Sequence, residues 1–556
     1  MTNREIARML ESIADMLELK NDNPYRILAY RKAAHTIHHL DEDLRVLYTR
    51  DAVGEIPGIG STIRGQIEEM LETDSCYYCE ELKQEVPGGL LDMLTIPGLG
   101  HKTIRSIHEK LGIDNLETLA AAAEAGIIRT LPGMGAKTEY NILKGIDLFQ
   151  KSMEKITLGL AVPMAEEFSR HIMQGEGVIA ACPVGSVRRG KPLVGDIDLL
   201  VAAKDFQRVK MQVRSYRNTR EITGEQKDSI QGILNYNMKF EVIMTAPADY
   251  FHNMIWTTGS KEFRETIFRD LDRQSLRGLA SEEEVFRRLN MQYIPPEMRE
   301  NRGEIQKARE FNLPELVKLS DIKGELHVHT DWSDGAHSLP EMAAMAHKMG
   351  YSYLAVTDHS KSLHISGGLS EKRLMEQGQL IEALNHKMKG LFILKGSEVD
   401  ILKDGTLDYS DDILQSLDLV IASIHSHFNL DSEQQTARII KAIENPHVDI
   451  IGHLTGRLLN RRPPYELDVD RILAAAAEHQ TALEINAHPD RLDVNEDIAA
   501  QASRMGIRIA INSDAHDKRD LNLVKYGVLC ARRAWLTRED VINTWDIEKV
   551  IQYFGS

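Results

Sequence analysis

The feature that most constrains this chain is a series of short apolar runs in its C-terminal part, each ending in a histidine or an acid. Leu326-His327-Val328-His329 opens the series, with Asp334 five residues further on. His359 ends the run from Tyr353, Glu398 the run from Phe392, His425 the run from Leu419, and His453 the run from Ile450. Asp514 and His516 follow the run from Ile507. Histidines at i and i+2 on a strand point the same way. Between the runs lie stretches long enough for a helix, such as 339–348 and 469–479. Strand, ligand-bearing loop and helix in repetition predict a β/α barrel with its chemistry on the C-terminal face.

Nine groups gathered there predict a multinuclear metal site: His327, His329, Asp334, His359, Glu398, His425, His453, Asp514 and His516. Imidazole mixed with carboxylate suits Zn, Mn or Fe(II), whereas Mg or Ca alone would want oxygen ligands. One strand-end histidine would read as a satisfied polar residue; the repetition carries the argument. His347, His386, His447 and His479 read as surface residues. His337 and His364 fall in loops near the site without an assignable role, and His427 and His488 lie beside strand ends.

With 556 residues, three or four domains are expected. The chain has 42% hydrophobic and 27% charged residues, a globular composition rather than a disordered one. Four cysteines exclude a disulfide scaffold, and the lone pair Cys76 and Cys79 reads as a polar helix turn. No apolar stretch reaches the roughly 18 residues a membrane span needs, and Met1 to Ile6 is not a signal sequence. A cytoplasmic monomer without membrane contact is the expectation. The net charge of −17 argues against nucleic acid wrapped over the whole surface. A local basic track remains, holding Lys204, Arg208, Lys210, Arg214, Arg217 and Arg220. A solvated face is its bland alternative.

From the N-terminus, residues 3–40 predict two helices, the second opened by Pro24. A repeat follows: Ile56-Pro57-Gly58-Ile59-Gly60, Ile96-Pro97-Gly98-Leu99-Gly100 and Leu131-Pro132-Gly133-Met134-Gly135, each leading into a helix. Such a turn exposes consecutive amides at a helix start, a nest that holds phosphate without a basic side chain. Residues 162–173 predict a helix with Pro163 in its first turn, and residues 299–308 a charged helix containing Gly303. Asp196 and Asp198 share one strand face, about 7 Å apart. With the Gly185-Ser186 turn and Arg189 beside them, they suit a triphosphate with Mg²⁺. The strand from Lys239 brings Glu241 as a third acid.

The layout resembles bacterial family X DNA polymerases fused to a polymerase-and-histidinol-phosphatase (PHP) domain. The likeness rests on Gly185-Ser186 with Arg188-Arg189, Gly195-Asp196-Ile197-Asp198, Thr258-Gly259-Ser260, Tyr293-Ile294-Pro295-Pro296-Glu297 and the barrel series. The Pro-Gly-x-Gly turns resemble helix-hairpin-helix modules, which grip the DNA backbone without reading bases. The resemblance implies a multidomain architecture. A helical DNA-binding domain would span 1–85 and a fingers-like region with two further helix-hairpin-helix motifs 86–150. A mixed α/β nucleotidyltransferase palm would span 151–260, a reduced thumb 261–290 and a linker 291–320. A distorted (β/α)7 PHP barrel would take 321–556.

It also implies site residues. Asp196, Asp198 and Glu241 would be catalytic in the palm, with Gly185, Ser186, Arg189, Gly195, Gly259 and Ser260 around the nucleotide. Gly58, Gly60, Gly98, Gly100, Gly133 and Gly135 would meet DNA. The barrel would hold three transition-metal ions, with Glu398 bridging and catalytic. Position alone, not the resemblance, suggests Arg457 or Arg491 as a phosphate contact. The palm would take Mg or Mn. Gapped, nicked or 3′-ended DNA and dNTPs are the implied partners, in a bacterial, nucleoid-associated setting. The implied activities are 3′-5′ exonuclease, 3′-end processing or abasic-site cleavage.

Three departures from the family stand out, of which the first two point to weak or lost gap filling. The third acid is Glu241 where the family carries Asp. The thumb is short, with Trp256-Thr257 and Phe263-Arg264 replacing the family's usual residues around the Thr-Gly-Ser turn. Gln66 stands where an imine-forming lysine would fall, so no lyase activity is expected there. The rival readings are a fully active bifunctional repair polymerase, a small-molecule phosphatase and a non-catalytic DNA-binding protein.

Overall fold

The computed structural model describes every residue except Thr2, His39, Asp41, Pro57, Thr95, Pro97, Gly98, Glu154, Asp270, Leu271, Asp272 and Ser556. The chain forms two compact units, Met1–Met153 and Glu154–Ser556.

The first unit is helical among its described residues. Ile6, Leu10, Ile13 and Leu17 line one face of the helix Asn3–Leu19 and are fully buried. They pack on the helix Pro24–His38, whose first position suits a residue without an N–H. The three repeat turns share one construction. The buried residues Ile56, Ile96 and Leu131 each accept a backbone hydrogen bond from the residue three further on, Ile59, Leu99 and Met134. The helices Ser61–Thr73, His101–Leu111 and Ala136–Met153 start directly afterwards. Pro57, Pro97 and the candidate Gly98 lie outside the described residues. Cys76 and Cys79 correct the sequence reading: both side chains are buried in the apolar core of this unit, not set on a polar turn.

The second unit contains a five-stranded sheet and a barrel. The sheet order is Val178–Pro183, Asp196–Ala203, Lys239–Thr245, Ser229–Leu234 and Thr219–Glu225. Only the pair Asp196–Ala203 and Lys239–Thr245 is parallel. The helix Leu158–Met173 covers the sheet with Phe168 and Ile172. It starts earlier than expected, so Pro163 lies in its second turn rather than its first. Four of the six residues of the basic track are paired locally: Arg208 with Glu176, Lys210 and Arg214 with Glu225, and Arg217 with Glu167. Residues 261–290 contain the short helices Lys261–Ile267 and Glu282–Arg288. The expected helix over 299–308 shortens to Glu304–Arg309, because Gly303 at φ +103° occupies the N-cap in a left-handed conformation.

Seven parallel strands make the barrel in sequence order: Gly324–Glu325, Tyr353–Val356, Phe392–Asp400, Leu419–Ser423, Ile450–Ile451, Ala482–Asn486 and Ile509–Asn512. A bridge between Val328 and Ala515 joins the chain beyond the first strand to the chain beyond the last. The first strand is shorter than the sequence suggests. His327 and His329 lie past its end, fixed by that bridge and by the His329 amide donating to the Ala515 carbonyl at 2.9 Å.

A buried ion network ties sheet and barrel together. Arg533, at the end of the barrel helix Val524–Arg533, reaches Glu300 and Glu496 at 2.9 Å and the Arg189 carbonyl at 2.9 Å. Burial opposes ionisation of Glu300, but Arg189, Arg533 and Lys191 outweigh it and hold its carboxyl at about 2.

Candidate functional site

All nine barrel side chains of the strand-end series converge around Glu398. Its Oε1 lies 2.9 Å from His453 Nε2 and 3.2 Å from His425 Nε2. Its Oε2 lies 2.9 Å from His359 Nδ1, 3.5 Å from His327 Nε2 and 3.6 Å from His329 Nε2. Asp514 Oδ1 sits 3.1 Å from His329 and 3.5 Å from His327. Asp334 faces His359 and His516, each at 3.4 Å. Three overlapping groups have donor atoms within 4.8 Å of one another: His329, Asp334, His359 and His516; His327, His329 and Asp514; His359, Glu398 and His425.

This donor set fits metal ions. His327 Nε2 and both ring nitrogens of His329 are buried without a hydrogen-bond partner, which is costly unless something coordinates them. The electrostatics of the protein alone are correspondingly strained. Burial, His516 and His359 push His329 down to about 3. Burial also works to lower His359, but Glu398 and Asp334 outweigh it and lift the ring to about 10. Against burial, His425, His327 and His359 hold Glu398 well below the carboxylate range.

The sequence reading missed the outer layer. Glu484 accepts from His327 Nδ1 at 2.7 Å and, through its other oxygen, from the His453 amide at 2.8 Å. Asp400 meets His425 Nδ1 at 2.5 Å, and Asn486 donates to Asp514 at 2.9 Å. Such partners orient ligand imidazoles and raise their basicity. Their signal was present: Glu484 interrupts the apolar run from Ala482, and Asp400 follows Glu398 by two residues on the same strand face. Of the two guessed phosphate contacts, Arg491 stands 3.9 Å from Asp514. Arg457 turns to the carbonyls of Arg491 and Leu492 instead.

In the sheet, Asp196, Asp198 and Glu241 share one face, because Asp198 pairs with Glu241 across the parallel strands. Burial together with Asp196 and Glu241 raises Asp198 to about 7. Gly185, at φ +59°, opens a short helix Gly185–Arg188, and a Cβ there would collide with the Asp198 carboxylate. Ser186 Oγ is buried without a partner, as a ligand-binding hydroxyl would be. Gly195 forms the bend before Asp196. Ser260 caps the helix Lys261–Ile267, and a Cβ at Gly259 would collide with the Phe263 ring. Arg189 differs from expectation. Its guanidinium donates to the Thr258 carbonyl at 2.7 Å and pairs with Glu300 at 3.0 Å, so it braces the Thr258-Gly259-Ser260 turn rather than facing a phosphate.

In the first unit, Gly58 and Gly133 adopt φ +84° and +79°, which their turns require. A Cβ at Gly60, Gly100, Gly133 or Gly135 would meet no protein atom within 4 Å. Gln66 accepts from the Tyr30 hydroxyl at 3.0 Å. No helix among the described residues is long and apolar enough to cross a membrane.

Comparison with known proteins matches these regions. A helix-hairpin-helix domain family matches residues 1–76, a SAM-like helix-hairpin-helix tandem matches 90–147, and the PHP domain family matches 325–488. A protein of Bacillus subtilis (strain 168) named DNA polymerase/3′-5′ exonuclease PolX is 36% identical over 567 aligned positions, covering 99% of each chain. Two proteins named probable phosphatase match part of the chain. One, from Thermoanaerobacter sp. (strain X514), is 36% identical over 41% of this chain and 93% of its own length. The other, from Caldanaerobacter subterraneus subsp. tengcongensis, is 34% identical over 41% of this chain and 89% of its own length. End-to-end similarity at that level, with helix-hairpin-helix and PHP regions in place, shows that the chain belongs to the DNA polymerase/3′-5′ exonuclease PolX family.

Proposed function

We propose that the chain is a DNA-repair enzyme whose barrel hydrolyses phosphodiester bonds at DNA 3′ ends and whose palm retains only weak gap-filling activity. The observation that supports this best is the crowding of five histidines and Glu398 with Asp334 and Asp514 in one buried cluster, with His516 completing it. His327, His329, Asp334, His359, Glu398, His425, His453, Asp514 and His516 would hold three transition-metal ions, of zinc, manganese or iron. Bound there, the ions supply charge to polarise a scissile phosphate and to activate water. Glu484 and Asp400 fix the ring orientations of His327 and His425. The 3′-to-5′ polarity comes from the name of the Bacillus relative.

The repeat turns supply the grip on the substrate. Glycines that no protein neighbour crowds, at helix starts, suit close approach of a phosphate backbone. DNA with a gap, nick or free 3′ end is the partner class, and the bacterial cytoplasm beside the nucleoid is the setting. A small-molecule phosphatase would have no use for three such turns. The domain limits proposed are 1–85, 86–150, 151–260, 261–290, 291–320 and 321–556.

One observation favours the fuller bifunctional reading: Asp198 and Glu241 sit in register, so three acids do share a face, and Mg or Mn could be held there. Against it stand the extra methylene of Glu241 and the short thumb. Purified protein with Mn²⁺ should shorten a 5′-labelled strand from its 3′ end, and His327→Ala with His329→Ala should abolish the shortening. Degradation by the double variant at the parental rate would refute the barrel assignment.

A further inference from the structure

The most exposed acid of the barrel cluster is held from outside the cluster. Glu398 and Asp514 are 1% and 10% exposed, whereas Asp334 is 28% exposed and hangs from a turn rather than a strand end. The turn closes on Thr330. The Ser333 and Gly335 amides donate to the Thr330 carbonyl at 3.1 and 2.9 Å, and a Cβ at Gly335 would collide with the backbone of His329 and Thr330. One fully buried carboxylate fastens this turn to the barrel. Asp358 accepts from the Thr330 amide through Oδ1 at 2.8 Å and from Thr330 Oγ1 through Oδ2 at 2.6 Å. Its Oδ1 also accepts from Ser333 Oγ, and its Oδ2 from Gln377 Nε2 at 2.6 Å.

These four donors are neutral, and three of them belong to the turn that carries Asp334. An ionised carboxylate accepts at both oxygens and donates nowhere, whereas an asparagine would turn an amino group against Thr330 or Gln377. A charge buried among neutral donors is costly, which points to a task beyond packing. Asp358 belongs to none of the three donor groups, so that task is not ligation. We propose that Asp358 is a positioning residue. By fixing Thr330 and Ser333 it presents Asp334 to the ion of the group His329, Asp334, His359 and His516. This is the outermost group of the cluster, since His516 is 31% exposed beside the 28% of Asp334. The other two groups draw no ligand from the turn. The inference rests on the metal reading of the barrel.

The test counts manganese in the full-length protein after loading with Mn²⁺ and dialysis against graded chelator. The parent should keep about three ions. Asp358→Asn should bind one of them about 10- to 100-fold more weakly and keep the other two as the parent does. Thr330→Val with Ser333→Ala removes the hydroxyl donors from the turn side and leaves the residue before His359 untouched. It should lose the same ion, and excess Mn²⁺ should restore that ion in both variants. Asp334→Ala lacks this ion already, so adding Asp358→Asn to it should change nothing further. Parental retention in both variants, equal weakening of all ions, or a further loss on top of Asp334→Ala would overturn the proposal. The turn-side pair carries the test if Asp358→Asn does not fold. A parent that binds no Mn²⁺ would overturn the metal reading itself, a pattern distinct from these.

Discussion

Glu241→Asp should raise gap filling rather than lower it. Glu241 is paired in register with Asp198 on the adjacent parallel strand, so an aspartate there would set its carboxylate level with that of Asp198. The extra methylene carries the glutamate oxygens about 1.5 Å further along the side chain. Gln231 Nε2 engages Oε1 at 2.9 Å, which holds the carboxylate toward the neighbouring strand. Displacement of a catalytic group by about 1 Å costs on the order of 10²-fold in rate. Shortening the side chain should therefore increase single-nucleotide insertion into a one-nucleotide gap by about 10- to 100-fold. The assay is single-turnover extension with dNTP and Mg²⁺ or Mn²⁺. Asp196→Ala with Asp198→Ala, added to Glu241→Asp, should erase the gain. Robust extension by the parent protein, unchanged or reduced in Glu241→Asp, would refute the reasoning.

Further outcomes follow from the same contacts. Glu484→Gln removes the charge that orients His327 and should weaken metal retention about 10- to 100-fold, read by competition with a chelator. Arg533→Ala leaves Glu300 and Glu496 short of their shared cation. It should cost about 3–5 kcal/mol in denaturant unfolding of the second unit, and a loss under 1 kcal/mol would contradict the network's role. Asp449 is raised to about 8 by burial, partly offset by the Val420 amide. The folded state therefore keeps a proton that the unfolded chain sheds above roughly pH 4. The stability this gives is complete below that point and is lost as pH rises toward 8. Asp449→Asn should flatten that decline, gaining on the parent by up to about 1 kcal/mol per pH unit between pH 5 and 8. Parallel stability curves would contradict it.

The sequence made the barrel legible because its chemistry is periodic: each strand end repeats one type of signal, and the side chains of that series meet at Glu398. The outer layer was harder to read. Glu484 and Asp400 act through histidines that are distant in sequence, and a strand-borne acid gives no sign of which ring it faces. Arg189 was misread for the same reason. Its partner Glu300 lies 111 residues away in sequence, and Glu300 is fixed in turn by Arg533 of the barrel. Local errors had local causes. The helix containing Pro163 begins at Leu158, so the proline falls beyond the first turn. Gly303 delays a helix that its charged neighbours suggested. Cys76 and Cys79 looked polar only because their flanking residues are; three-dimensional packing puts both in the core.

The central claim is that the strand-end cluster holds transition metals. Elemental analysis of the protein as isolated tests it most directly. The account predicts about three such ions per chain, as a mixed imidazole–carboxylate set of this size would hold, and a marked fall in His327→Ala with His329→Ala but not in Asp196→Ala with Asp198→Ala. Protein that folds normally yet carries no transition metal, or whose metal content ignores the histidine pair, would contradict it.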